Sequence, residues 1–182
     1  MSWQGENQLR SLNFQCGFCG NTVATDKGFF SKNDSRFRLY ICPHCDRPTF
    51  FDSRNQVPGV APGRDVSHVP KELEAVYNEA RRCVSIGAYT SSVLSCRKLL
   101  MHIAVQQNAE PGKTFLHYVE YLASNGYVPP NGKSWVDHIR KKGNEATHEI
   151  VLMSQEDANE LILFSEMLLK FIYEFPARVP SQ

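Results

Sequence analysis

Two C-x-x-C pairs constrain this chain more than any other feature of its sequence. "CGFC" spans Cys16 to Cys19 and "CPHC" spans Cys42 to Cys45, with 22 residues between them. Four thiolates at that spacing close a tetrahedral shell around Zn²⁺, because a two-residue gap lets each pair wrap a tight turn with both sulfurs facing one ion. Gly17 and Gly20 supply the backbone freedom such a turn needs. His44 is an alternative ligand, but four cysteines already fill the shell. A closed shell of protein thiolates leaves no position for water or substrate, so the expected role of the zinc is structural.

Around these pairs the sequence reads as a small β module. "RFRLYI" alternates Phe37, Leu39 and Ile41 with Arg36, Arg38 and Tyr40, the period of a half-buried strand, and "TFF" after Pro48 gives another short strand. The module is assigned to residues 1–54. Residues 55–69, "NQVPGVAPGRDVSHV", break every periodic pattern and read as a Pro/Gly linker or arm.

Residues 70–176 read as helices, with residues 177–182 as a tail. "PKELEAVYNEARRCVSIG" opens on Pro70 and closes on Gly87, the usual asymmetry of helix ends. A second helix runs from about Thr90 to Gln107, a third stops at Asn125-Gly126, and a fourth, "WVDHIRKK", begins after Ser134. The last begins at Ser154, where Ser154 and Asp157 stand at capping-box positions, and ends by Pro176. Apolar residues nearly encircle that last helix, which places it centrally in a bundle or against a second copy of the chain. The fold class expected from these readings is mostly α, a bundle of four to five helices carrying a small N-terminal β zinc ribbon.

Composition narrows the function classes. The 182 residues carry 20 basic and 19 acidic side chains, a net charge of +1, which gives no general electrostatic pull toward nucleic acid. Leu161 to Tyr173 is the most apolar stretch, yet it holds Glu166 and Lys170 and is too short to span a bilayer. Met1 is not followed by a secretory pattern, so the expected location is cytoplasmic, a reducing setting in which paired cysteines point to metal before disulfide. Cys83 and Cys96 read as small core residues.

From Val69 to Pro176 the phrases "YNEARRC", "SCRKLL" and "GNEATH" resemble the bacterial domain-of-unknown-function family 4145, a helical family similar to the HEPN-like group. That resemblance implies a HEPN-like bundle and a place in prokaryotic defence or conflict systems, with a defence-system protein as a partner. HEPN ribonucleases carry an arginine followed a few residues later by a histidine, often with asparagine directly after the arginine. They cut RNA without metal, and two copies of the motif usually meet across a dimer.

The stretch "IRKKGNEATHEI" is where that motif would fall. Asn144 and His148 match it, Gly143 stands in the arginine's place, and Arg140 lies one residue beyond the family's spacing. On one continuous helix Arg140 and His148 would be about 12 Å apart along the axis and about 80° apart around it. The candidate catalytic residues are therefore Arg140, Asn144 and His148, with Arg97 and Lys141 as candidate phosphate-binding residues. Two other readings stay open: Asn144 and His148 bonding backbone at a helix junction, and a non-catalytic pocket for a nucleotide or nucleic-acid phosphate. A salt bridge on a helix surface is the simpler account of Arg97. In the ribbon, Phe29, Phe30, Arg36, Phe37, Arg38 and Tyr40 offer stacking and charge to RNA or another nucleic acid.

The expected function is accordingly a zinc-binding interaction or nucleotide-binding module, with a metal-independent endoribonuclease as the alternative.

Overall fold

The structure is a computed structural model and describes residues 3–53, 55–129, 135–139 and 152–179. It divides into two compact units, Met1–Ala61 and Pro62–Gln182. With 19% strand beside 45% helix, the chain is not the mostly-α bundle that the sequence suggested but an α+β protein. The correction comes from the N-terminal unit, which is a five-stranded antiparallel sheet.

The strands run β1 (Asn7–Gln15), β2 (Thr22–Phe30), β3 (Phe37–Ile41), β4 (Pro48–Asp52) and β5 (Asn55–Val57), each paired with the next in chain order. β1 and β2 were not foreseen as strands. A shift of register between Gln8 and Leu12 breaks the alternation of β1, and β2 carries "TDKG" in its middle. Gly28 is needed in β2 because a Cβ there would lie 1.9 Å from the carbonyl oxygen of Leu39 on the neighbouring strand. β5 falls within the Pro/Gly stretch and pairs with β4 from Asp52–Asn55 to Phe50–Val57.

The core of this unit is small. Phe14, Tyr40, Cys16 and Cys42 are buried, and Leu12, Val23 and Phe51 pack on them. The Phe51 ring meets Phe14 and Tyr40 edge-on at 5.2 and 5.6 Å. Tyr40 places its hydroxyl usefully, donating to the carbonyl of Arg10 at 2.9 Å.

In the second unit α1 (Lys71–Ser85), α2 (Tyr89–Gln106), α3 (Phe115–Ser124) and α4 (Gln155–Leu169) share one core. Residues 135–139 are also helical. Gly87, at φ 80°, ends α1 by sending its N–H to Val84, while Ala88 N–H bonds Cys83. Ser154 and Asp157 form the expected capping box on α4. The α2 stripe of Val93, Cys96, Leu100 and Ile103 is fully buried, and a leucine so buried contributes about 1.5–3 kcal/mol. No described helix is long and apolar enough to cross a membrane.

α4 runs on through a π-helical turn, Lys170–Glu174, into α5 (Phe175–Arg178), so helix continues past Pro176, where the sequence placed its end. Pro176 follows directly on the π-helical turn, near the start of α5. The near-encirclement of α4 resolves into two faces. Leu161, Ile162, Phe164, Leu168 and Leu169 are buried, whereas Leu163 and Phe171 remain about half exposed, at 51% and 47%.

Residues 62–67 of the arm are bound to this bundle through their backbone. The Arg81 guanidinium donates to the carbonyls of Pro62 and Gly63, and the Tyr77 hydroxyl donates to that of Arg64. Arg64 N–H donates to the carboxylate of Glu166, and Ser67 N–H to that of Glu174, both at 3.0 Å. Both acids are buried, and each also meets a cation one turn on, Lys170 and Arg178. Buried carboxylates persist only when paired and hydrogen-bonded in this way.

Glu166→Ala strips Arg64 N–H and Lys170 of their acceptor inside the unit. It should therefore lower the unfolding free energy by about 2–4 kcal/mol in urea denaturation, whereas a loss near zero would show that the arm is not held by this acid.

Candidate metal centre and helical cleft

The four cysteines of the two C-x-x-C pairs converge on one point. Their sulfurs all lie within 4.8 Å of one another. Cys16 and Cys45 are 3.7 Å apart and Cys19 and Cys42 are 3.8 Å apart. A tetrahedral zinc with Zn–S bonds of about 2.3 Å requires S···S edges of about 3.8 Å, and a disulfide about 2.05 Å, so the spacing fits an ion and not a bond. All six cysteines are free thiols.

The two turns that carry these cysteines are built alike. Cys16 N–H donates to the carbonyl of Asn21, and Gly20 N–H to that of Cys16. In the other turn Cys42 N–H donates to Arg47, and Asp46 N–H to Cys42. Gly20 and Asp46 hold the matching left-handed position, at φ 71° and 60°. Glycine adopts that region freely and aspartate tolerates it. Gly17 is fixed by a close approach, since a Cβ there would stand 2.3 Å from the carbonyl oxygen of Pro58.

Hydrogen bonds tune the sulfurs. At Cys19 burial pushes the thiol up, but the backbone N–H and the side-chain amide of Asn21, with the neighbouring thiols, outweigh it and bring the value down to about 6. Cys45 is pushed up to about 12 by burial and by hydrogen bonding to the adjoining thiols. Metal binding would release the remaining protons as the shell forms. The exposed His44 points elsewhere: its Nδ1 lies 3.1 Å from the amide nitrogen of Asn21, and it is not among the clustered ligands.

The other sequence-predicted residues divide sharply. Arg140, Lys141, Asn144 and His148 lie outside the described residues. Arg97 lies on α2, half-buried, with its guanidinium carbon 4.4 Å from the centroid of Phe115 at the start of α3. No salt bridge engages it among the described residues, and its buried Nη1 has no hydrogen-bond partner. Burial pulls its pKa down.

Arg97 lines a cleft of about 650 Å³ that the sequence did not reveal. Leu73 and Val76 of α1, Leu94, Met101 and Val105 of α2, and Tyr118 of α3 give it an apolar wall. Lys98, His102 and Glu72 stand on the same lining. The signal was present in "RKLLMH", where Arg97, Lys98, Met101 and His102 recur at helical spacing and so share one side of α2.

The ribbon residues considered for nucleic acid are not gathered into one platform. Phe37 and Leu39 alternate with Arg38 and Tyr40 across the sheet. Tyr40 is buried, Arg36 is paired with Asp34, and Arg38 donates to the carbonyl of Ser35. Among the described residues Cys83 and Cys96 join no cluster of metal-ligating side chains. Burial raises both thiols, Cys96 to about 12, which leaves them poor nucleophiles.

Comparison with known proteins finds one family model, described as a domain of unknown function (DUF4145), that matches residues 78–182. No curated protein and no solved structure matches.

Purified protein should carry about one zinc per chain, and Cys19→Ser should lose it. In far-UV circular dichroism the variant should keep its helical signal while its strand signal melts early. A wild-type protein without metal, or a variant whose sheet is unaffected, would contradict this.

Proposed function

We propose that this chain, which belongs to the DUF4145 family, is a zinc-stabilised binding module and not a competent enzyme. The observation that carries the reading is the closed set of four sulfurs. Every ligand position of a tetrahedral ion is taken by Cys16, Cys19, Cys42 or Cys45, so the ion would hold the two turns together without activating water or substrate. Zinc would supply only cross-linking there, and the turn residues Asn21 and Arg47 would orient the thiolates through their backbone N–H groups.

In the helical unit the reading is supported by Arg97, a half-buried cation beside an apolar cleft with no carboxylate of the described residues to neutralise it. That environment suits capture of an anion better than proton transfer, because arginine stays charged through the range in which acid–base catalysts work. A place in a prokaryotic defence or conflict system, with another protein of that system as partner, belongs to the same proposal and is supported by the sequence resemblance. So does homodimer formation, which the exposed Leu163, Phe171 and Phe175 on the C-terminal helices support.

In the presence of EDTA the purified protein should leave RNA uncut, and His148→Ala should behave identically. RNA cleavage that His148→Ala abolishes would overturn the reading in favour of the ribonuclease alternative. For self-association, sedimentation should show a dimer that Phe171→Asp dissociates, and a wild-type monomer at micromolar concentration would contradict it.

A further inference from the structure

We infer that the cleft beside Arg97 binds a small amphipathic anion, a molecule with an apolar body and a terminal carboxylate or phosphate. The inference deepens the reading of the helical unit as a binding module and rests on it.

A guanidinium is taken out of water only at a cost unless an acceptor replaces the lost solvent. At Arg97 the ring of Phe115 covers one face, an attraction of order 1 kcal/mol. It supplies no hydrogen-bond acceptor. Nη1 is sealed from solvent and makes no hydrogen bond, although most buried polar groups in folded proteins find a partner. The two buried acids among the described residues of this unit are unavailable, because Glu166 and Glu174 are already committed to the backbone of the arm and to Lys170 and Arg178. Arg97 lines the cleft and is only half-buried, so a turn of its side chain would bring Nη1 to an oxyanion held there, in the planar geometry to which guanidinium is matched.

The remainder of the cleft sets the rest of the ligand. Its wall is apolar, from Leu73, Val76, Leu94, Met101, Val105 and Tyr118, so a purely ionic guest would leave most of it wet. Its volume, about 650 Å³, lies inside the range of small-molecule sites. Lys98 and His102 add donors on the same lining, and Glu72 is the one acid there among the described residues. Among these groups cations outnumber acids, which selects against a cationic amphiphile and favours an anionic one.

Titration calorimetry of the full chain with octanoate, octyl phosphate, octanol and octyltrimethylammonium tests this below their micelle concentrations. One or both anions should bind saturably at one site per chain, and the better of them names the headgroup. Octanol should bind at least about tenfold more weakly for want of a charge-assisted hydrogen bond, and the cation should not bind. Arg97→Gln should weaken the preferred anion by about ten- to a hundredfold while leaving octanol unchanged. Leu94→Trp, at an exposed position that tolerates a larger side chain, should block every amphiphile. Equal affinity for anion and alcohol, or full anion affinity in both variants, would overturn the ligand class while leaving the binding-module reading standing. Absence of binding by all four probes would overturn the cleft as a site. Cleavage of RNA dependent on His148 would instead contradict the parent reading.

Discussion

Convergence of four sulfur atoms is the constraint on which the N-terminal unit depends. Cys16 and Cys19 sit in the turn joining β1 to β2, and Cys42 and Cys45 in the turn joining β3 to β4. Fastening these two turns fixes four of the five strands at one end of the sheet. The unit has few alternatives, since its buried core is little more than Phe14, Tyr40 and the cysteines themselves. A core of that size does not outweigh the conformational entropy of some sixty ordered residues without a staple. The repeated hydrogen-bond pattern of the two turns shows how the backbone gathers the four sulfurs: each turn presents its pair by the same i to i+5 and i+4 to i bonds.

The helical unit solves the same problem by burial. Its core runs through α1, α2, α3 and α4, and it uses Glu166 and Glu174 to bind the arm that leads into α1. The π-helical turn lies between these two acids and carries Lys170 and the residues up to Glu174. Arg97 is the exception to this economy. The buried Glu166 and Glu174 each meet a cation and a backbone N–H, whereas Arg97 meets only the face of a ring among the described residues. The anion proposed for the cleft would supply the acceptor that this guanidinium lacks.

Much of this architecture was legible in the sequence, and the failures share a cause. The four-cysteine cluster could be read because its members come in two local pairs, whose spacing is itself the geometry. The α4 cap could be read because Ser154 and Asp157 are three residues apart, and the end of α1 because glycine alone adopts Gly87's backbone freely. What stayed hidden depends on distant partners. β1 loses its alternation at a bulge, and β2 carries polar residues that its neighbours shelter, so the sheet was mistaken for a minor appendage to a mostly-α fold. Glu166 read as an interruption in an apolar run, when its function is to accept from Arg64, 102 residues earlier. Arg97 read as a candidate phosphate contact with a surface ion pair as the simpler account, because nothing local announces that Phe115 will cover it.

The central claim, that the two C-x-x-C pairs hold one structural zinc, is tested most directly by X-ray absorption at the zinc edge on protein purified without added metal. Four sulfur scatterers at about 2.3 Å and no nitrogen or oxygen neighbour are the predicted shell. A mixed shell with nitrogen or oxygen, which would open the site to chemistry, or cysteines joined as disulfides without metal, would contradict the account.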